Sequence, residues 1–280
     1  MKAITIGVLG SLFFSITYIL NRAMELDGGN WMWGASLRYF FMIPLLLIVL
    51  GVKKEIFPVL KHIKHKPYQW FALSTIGFGL FYAPLTFAAV YGPGWLVAAT
   101  FQITIIAGTL LVPFLNRHDK NNKFDIPLKS IFISSIILFG VFIIQFEQVE
   151  NIAWSTVILS VFPMLIAAFA YPLGNRKMME VVNGSLNTFQ RLFGMTIASM
   201  LFWIILSVFA LFSYGLSSVN QMIQSFFVAL SAGVIATALF FYSTELVQYN
   251  YGQLAAVEAT QSGAVVFALI GEMFFWSPFA

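Results

Sequence analysis

Residues 31–51 read WMWGASLRYFFMIPLLLIVLG, with one charge, Arg38, and Lys53, Lys54, Lys61, Lys64 and Lys66 follow close behind. Roughly 20 mostly apolar residues are what an α-helix needs to cross a bilayer, and a lysine cluster marks the end that stays in the cytoplasm. Eight more windows of this kind lie along the chain. Apolar runs predict helices near 3–21, 31–51, 69–91, 95–115, 127–146, 153–174, 186–213, 225–248 and 252–276. Turn signals separate several of them: Asp27-Gly28-Gly29-Asn30, Tyr91-Gly92-Pro93-Gly94 and Asn250-Tyr251-Gly252 supply the backbone freedom of tight hairpins. Pro44, Pro84, Pro163 and Pro172 fall inside helices, which a membrane protein tolerates because neighbouring groups satisfy the freed carbonyls.

Composition agrees. Of 280 residues 60% are hydrophobic and 9% charged, against about 25% charged in a soluble domain. The longer polar stretches, 52–68 and 116–129, are loop-sized connectors, so no separate soluble domain is expected. There is no cysteine, which removes disulfides, thiolate metal sites and cysteine nucleophiles. The net charge of +4 is concentrated in particular connectors, a mark of membrane orientation and not of nucleic-acid binding. The first apolar segment is too long for a signal peptide and lacks a small-residue cleavage site.

Basic residues set the orientation. The connectors after the second and fourth helices carry the five lysines above and Arg117, Lys120, Lys123 and Lys129; Lys2 and the pair Arg176 and Lys177, placed after the sixth helix, join them. The opposite connectors hold only Arg22. The amino terminus is therefore expected in the cytoplasm of a cell whose plasma membrane the chain spans many times.

The chain also repeats itself. Tyr18, Asn21 and Arg22 are echoed by Tyr171, Asn175 and Arg176; Arg38 by Arg191; Leu73-Ser74 by Leu230-Ser231; and Gln102 by Gln261. The offset stays between 153 and 159, so helices 1 to 4 return as helices 6 to 9. Five helices per unit is an odd number, and the second copy must enter the membrane from the other face. Inverted repeats of this kind underlie alternating-access transporters. The expected organisation is an all-α transmembrane bundle with residues 1–150 as first repeat and 151–280 as second, the tenth helix that the pattern demands being missing.

Ionisable residues inside membrane helices are costly and are functional candidates by default. Arg38, Arg191, Glu245 and Glu258 are the set, proposed for coupling or ion pairing. At 1.5 Å per residue, Arg38 lies about 10 Å from the outer face and Arg191 and Glu258 about 10 Å from the inner one. A pair of Arg191 with Glu258 or Glu245 is expected, either as a switch in which the carboxylate exchanges partners or as a fixed packing contact. Glu258, Gln261 and Ser262 form one polar stripe, and Gln102 sits at the matching place in the fourth helix. Tyr18, Asn21 and Tyr171 are candidates to line a central cavity. Tyr82, Trp95 and Tyr242 are candidates to stack on a cationic or aromatic substrate, although with 31 phenylalanines most rings must be packing. His62, His65 and His118 sit in the basic connectors without a helical ligand cluster, so no metal and no cofactor is expected, and phosphate-binding Gly-Lys-Ser/Thr loops are absent.

Val257-Glu258-Ala259-Thr260-Gln261, followed by Ile270-Gly271-Glu272, resembles the Leu-Glu-Pro run and later Gly-Glu pair of the drug/metabolite transporter superfamily. Together with the five-plus-five topology it identifies the chain as similar to the ten-helix branch of that superfamily, of the multidrug-efflux or metabolite-exporter type. Ala259 stands where the family has proline, and Asn116-Arg117 where the first repeat often ends in an acid. The resemblance implies a secondary transporter exporting small hydrophobic or cationic compounds, with a metabolite or amino-acid exporter as the alternative, and a proton or other ion as coupling partner. Small multidrug transporters of the superfamily carry an essential glutamate in their first helix; the first helix here has no acid before Glu25, so that site does not carry over. An intramembrane enzyme would need a nucleophile with its base, yet no histidine or cysteine lies in a predicted helix. A lipid-handling protein is the remaining alternative.

Overall fold

The computed structural model describes residues 1–52, 55–92, 94–111 and 153–276, with isolated positions between 132 and 143; at 95, 109, 251 and 272–276 the backbone alone is described. Every regular element among the described residues is helical. In chain order these are α1 (Lys2–Leu26), α2 (Trp31–Val52), the short α3 (Ile56–His65), α4 (Pro67–Tyr91), α5 (Gly94–Phe101), α6 (Ile103–Leu110), α7 (Trp154–Val182), α8 (Thr188–Ala198), α9 (Met200–Tyr214), α10 (Val219–Glu245), α11 (Tyr251–Ala259) and α12 (Gly263–Trp276).

Six spans are long and apolar enough to cross a membrane: α1, α2, α4, α7, α10 and the segment Gly252–Gly271 shared by α11 and α12. A seventh is the pair α8 and α9, bent by 45° at Ser199. The fourth expected helix is present but broken at Gln102 into α5 and α6. The fifth, expected over 127–146, falls outside the described residues save for isolated positions. The outward surface of the spans carries Ile48, Phe162, Phe209 and Phe212, apolar side chains whose exposure suits lipid and not water.

Local chemistry explains several boundaries. Asn187 and Gln190 form a reciprocal capping box at the start of α8, Ser218 accepts from Gln221 N at the start of α10, and Asn250 accepts from Gln253 N at the start of α11. α7 ends where Asn183 takes a left-handed conformation followed by Gly184, also at positive φ. That stop comes eight residues later than the sequence suggested, because nothing before Asn183 breaks the helix; Pro172 passes within it. Arg176 and Lys177, expected in a connector, are therefore helical, and Arg176 is buried. The connector expected over 52–68 likewise contains α3.

The helices pack by exchange between the two halves of the chain. α1 lies along α10, α11 and α12, while α7 lies along α4, α5 and α6. α2 packs on α8, α9 and α10. The α4–α7 crossing is close enough that backbones touch: a Cβ on Gly77 would lie 3.1 Å from the Gly174 Cα, so small residues set this interface. Gly77 belongs to a π-helical turn (Thr75–Gly79) in α4, and α10 has a longer one (Ala229–Ala236) at the repeat-related place.

The described connectors sort onto two ends. At one, Trp33 Nε1 donates to Gly215 O at 2.8 Å and Asn220 and Gln224 donate to Asp27. At the other, Asn187 donates to Glu55 at 2.7 Å, Lys66 Nζ to Val181 O, and Thr188 to Glu245. This is the alternation expected of spans that cross in turn.

Candidate functional site

Polar groups are gathered where the two halves meet. The broken fourth span and the ninth supply its floor. Gln102 sits between α5 and α6, and Gln261 in a single 3-10 turn, Thr260–Ser262, between α11 and α12. Both amides are buried, and the Oε1 atom of each has no hydrogen-bond partner. Interrupted membrane helices free backbone and side-chain polar groups at mid-depth, and such breaks in corresponding positions of two halves point to a binding site.

Gln261 borders a closed cavity with Thr104, Tyr171, Pro172, Phe240 and Glu258, in which there is no room for a water molecule. Aromatic rings enclose its neighbourhood: Phe81 lies 4.6 Å from Tyr171, Phe101 6.0 Å from Tyr171, and Phe14 5.7 Å from Tyr18. Tyr18 is buried with its hydroxyl unpartnered. Asn21 accepts from the Tyr82 hydroxyl at 3.2 Å while its Nδ2 has no partner. Buried polar atoms left without a partner are few in native proteins; of these, Gln261 borders the closed cavity and Asn21 a separate small one beside Thr86.

Glu258 is held by Arg176, not by Arg191. Arg176 Nε donates to Oε1 at 2.9 Å and Nη2 to Oε2 at 2.6 Å, with both side chains 5% exposed. This is a bidentate buried pair joining α7 to α11. Gly108 of α6 is its third wall, since a Cβ there would meet Glu258 Oε2 and lie 3.0 Å from Arg176 Nη2. The expected alternative, Arg191 with Glu245, is present in looser form at 4.0 Å. Arg191 also donates to Phe241 O at 3.2 Å and covers the Phe241 ring at 4.4 Å. Arg38 has no carboxylate partner among the described residues. Its Nη1 reaches Thr17 Oγ1 at 3.5 Å and its guanidinium lies 3.9 Å over the Tyr82 ring.

Two expected stacking residues are thus elsewhere than the central cavity. The Tyr82 face is occupied by Arg38. Tyr242 is 39% exposed and lines a pocket of about 390 Å³ with Glu55, Asn187 and Thr188, because α10 carries it to the end of the bundle where α3 lies. The side chain of Trp95 lies outside the described residues, as do Glu272 and His118. At the opposite end a vestibule of about 500 Å³ is lined by Glu25, Trp31, Trp33, Tyr91 and Tyr214, and narrows through Glu25, Asn30 and Gln221 to a throat at Asn21 and Thr86 with about 10 Å³ free.

Arg176 is the functional candidate that sequence reasoning missed. Its signal lay in the Asn21-Arg22 and Asn175-Arg176 match, and in the absence of any helix stop before Asn183. No group of three His, Cys, Asp or Glu side chains that could hold a metal occurs among the described residues.

A polytopic helical membrane protein with interrupted helices around a closed central cavity has the architecture of a membrane transporter. Residues 1–279 match the family described as "EmrE: Putative multidrug resistance efflux transporter", and the chain belongs to this family within the drug/metabolite transporter superfamily. Among its relatives is "Uncharacterized protein YjlA" of Bacillus subtilis (strain 168), 52% identical over 98% of this chain and 86% of that protein. Another is the "Uncharacterized 42.1 kDa protein in intracellular alkaline protease 3'region" of Shouchella clausii, 43% identical over 94% of this chain and 70% of that one.

Proposed function

We propose that this transporter exports small hydrophobic or cationic compounds across the plasma membrane by alternating access, its two inverted repeats being residues 1–150 and 151–280 and its amino terminus cytoplasmic. The observation that carries the reading is that Gln102 and Gln261, at repeat-related positions, are both buried where a helix tightens by one turn, each with an unpartnered Oε1. The exchanged packing of α1 on α10 and α7 on α4 supports the inverted arrangement, since a two-fold axis in the membrane plane relates these contacts. The closed cavity is an occluded state that must open toward the vestibule or the inner pocket to admit a substrate. The Arg176–Glu258 pair ties α7 to α11 on the inner side, and the repeat-related place of Glu258 in the first half is Ala99. The repeat-related contact in the first half therefore lacks the carboxylate.

One observation favours the second reading, a carboxylate-bearing metabolite or amino acid. Arg38 is buried without a counter-charge among the described residues, a costly state that an anionic substrate group would relieve. Counterflow in sealed proteoliposomes separates the readings. Uptake of labelled tetraphenylphosphonium against unlabelled cation supports the first, uptake of a labelled amino acid supports the second, and chemical change of either compound without uptake defeats both. Glu258→Gln is expected to abolish exchange or remove its pH dependence; unchanged transport and pH profile would exclude Glu258 from coupling.

A further inference from the structure

Helix α3 packs on the bundle by one face and presents the other to its surroundings. Val59 is fully buried, and a Cβ on Gly194 of α8 would lie 3.0 Å from its Cγ1. Ile63 packs beside it. On the opposite side Phe57, Leu60, Lys61 and Lys64 follow at i, i+3, i+4 and i+7, one continuous stripe on a helix. Phe57 is 75% exposed and Leu60 46%, and Tyr68, at the start of α4, is also exposed.

An exposed phenylalanine and leucine followed along the same face by two lysines suit neither a buried interface nor open water. They suit the boundary of a bilayer, where rings sink below the headgroups and ammonium groups stay among the phosphates. Two further observations favour that environment. α2, which precedes α3 in the chain, ends in exposed apolar side chains, Ile48 and Val52. The charge is one-sided: Lys61, Lys64 and His65 are exposed, while the carboxylate of the neighbouring acid, Glu55, receives a hydrogen bond from Asn187. Among the described residues neither Lys61 nor Lys64 has a hydrogen-bond or ion-pair partner.

We propose that α3 is an interfacial anchor that binds anionic phospholipid headgroups through Lys61 and Lys64 while Phe57 and Leu60 enter the acyl boundary of the same leaflet. The anchor rests on the side of α8, so lipid composition acts directly on the helix that carries Arg191. This inference does not depend on which substrate is carried.

The chain has no cysteine, so Phe57→Cys gives a unique attachment point for an environment-sensitive nitrobenzoxadiazole label. The intact protein is reconstituted in phosphatidylcholine vesicles with and without phosphatidylglycerol. Expected are blue-shifted emission and quenching by a lipid-borne nitroxide, both increased by phosphatidylglycerol and reversed by raised salt. Adding Lys61→Gln and Lys64→Gln should weaken the response to phosphatidylglycerol on the order of tenfold with no change in melting temperature. Emission typical of water, with equal quenching by aqueous iodide in both membranes, overturns the proposal. So does a response that survives loss of both lysines, or one reproduced by inorganic phosphate in phosphatidylcholine alone.

Discussion

Arg176 and Glu258 are each too costly to bury alone, and the bidentate contact is what makes their burial tolerable. Glu258→Gln is therefore expected to destabilise the protein by about 3–5 kcal/mol. The double variant Arg176→Met with Glu258→Met removes both charges and should recover most of that loss. Thermal unfolding in detergent checks both; a double variant no more stable than the single one would show that the pair is not the source. On α3, outside the spans, His62 Nδ1 accepts from Trp70 Nε1 at 2.9 Å, which requires that nitrogen to be unprotonated. Burial first, then Lys66 and His65, hold the His62 pKa below the ordinary value of 6.5. The folded protein then binds fewer protons at this position than the unfolded chain. The contribution is complete above pH 6.5 and declines as pH falls through that value. Melting temperatures at pH 7.5 and pH 5.5 should differ more for the parent protein than for His62→Gln.

At the scale of elements, contact between α4 and α7 depends on two glycines that leave no room for a side chain. Gly174→Ala would place a Cβ against the Gly77 backbone, and the rigid π-turn gives it no flexible group to displace. A loss on the order of 1–3 kcal/mol is expected, read as a lower melting temperature, whereas Gly51→Ala, where a Cβ meets nothing, should be neutral. The kink at Ser199 and the breaks at Gln102 and Gln261 were not legible as such. All three lie in runs whose apolar pattern continues through the interruption, so periodicity reads each as one helix. Repeat matching did find both glutamines, because it compares the chain with itself and needs no geometry. The end of α7 was misplaced for a related reason: in lipid-facing segments hydropathy falls before the helix stops, and Asn183-Gly184, not polarity, terminates it.

At the scale of the molecule, the clustering of connectors at two ends predicts sidedness. Single cysteines at Leu216, on the vestibule end, and Ser185, on the α3 end, should react with a membrane-impermeant maleimide from opposite sides in intact cells and inverted vesicles. With the amino terminus cytoplasmic, Leu216→Cys labels in cells and Ser185→Cys only in inverted vesicles. The reverse pattern would invert the proposed orientation, and labelling of both from one side would break the alternation of spans. The closed cavity at Gln261, whose Oε1 is unpartnered, is where such a molecule has least to lose by opening.

The sequence by itself determined the solvent, the class and the approximate number of spans. Hydropathy over some twenty residues is a local property, and a bilayer leaves a chain of that composition only the helix. It also marked Arg38, Arg191 and Glu258 as buried charges, because an ionisable residue within an apolar window is visible without coordinates, whereas Arg176, read as part of a connector, escaped it. Which charge meets which was decided by tertiary structure alone. Arg176 and Glu258 are 82 residues apart, and their meeting depends on the late stop of α7, the passage of α6 at Gly108 and the depth at which α11 begins. Depth estimates treat helices as straight and separate, whereas the pairing follows from how bent and broken ones cross.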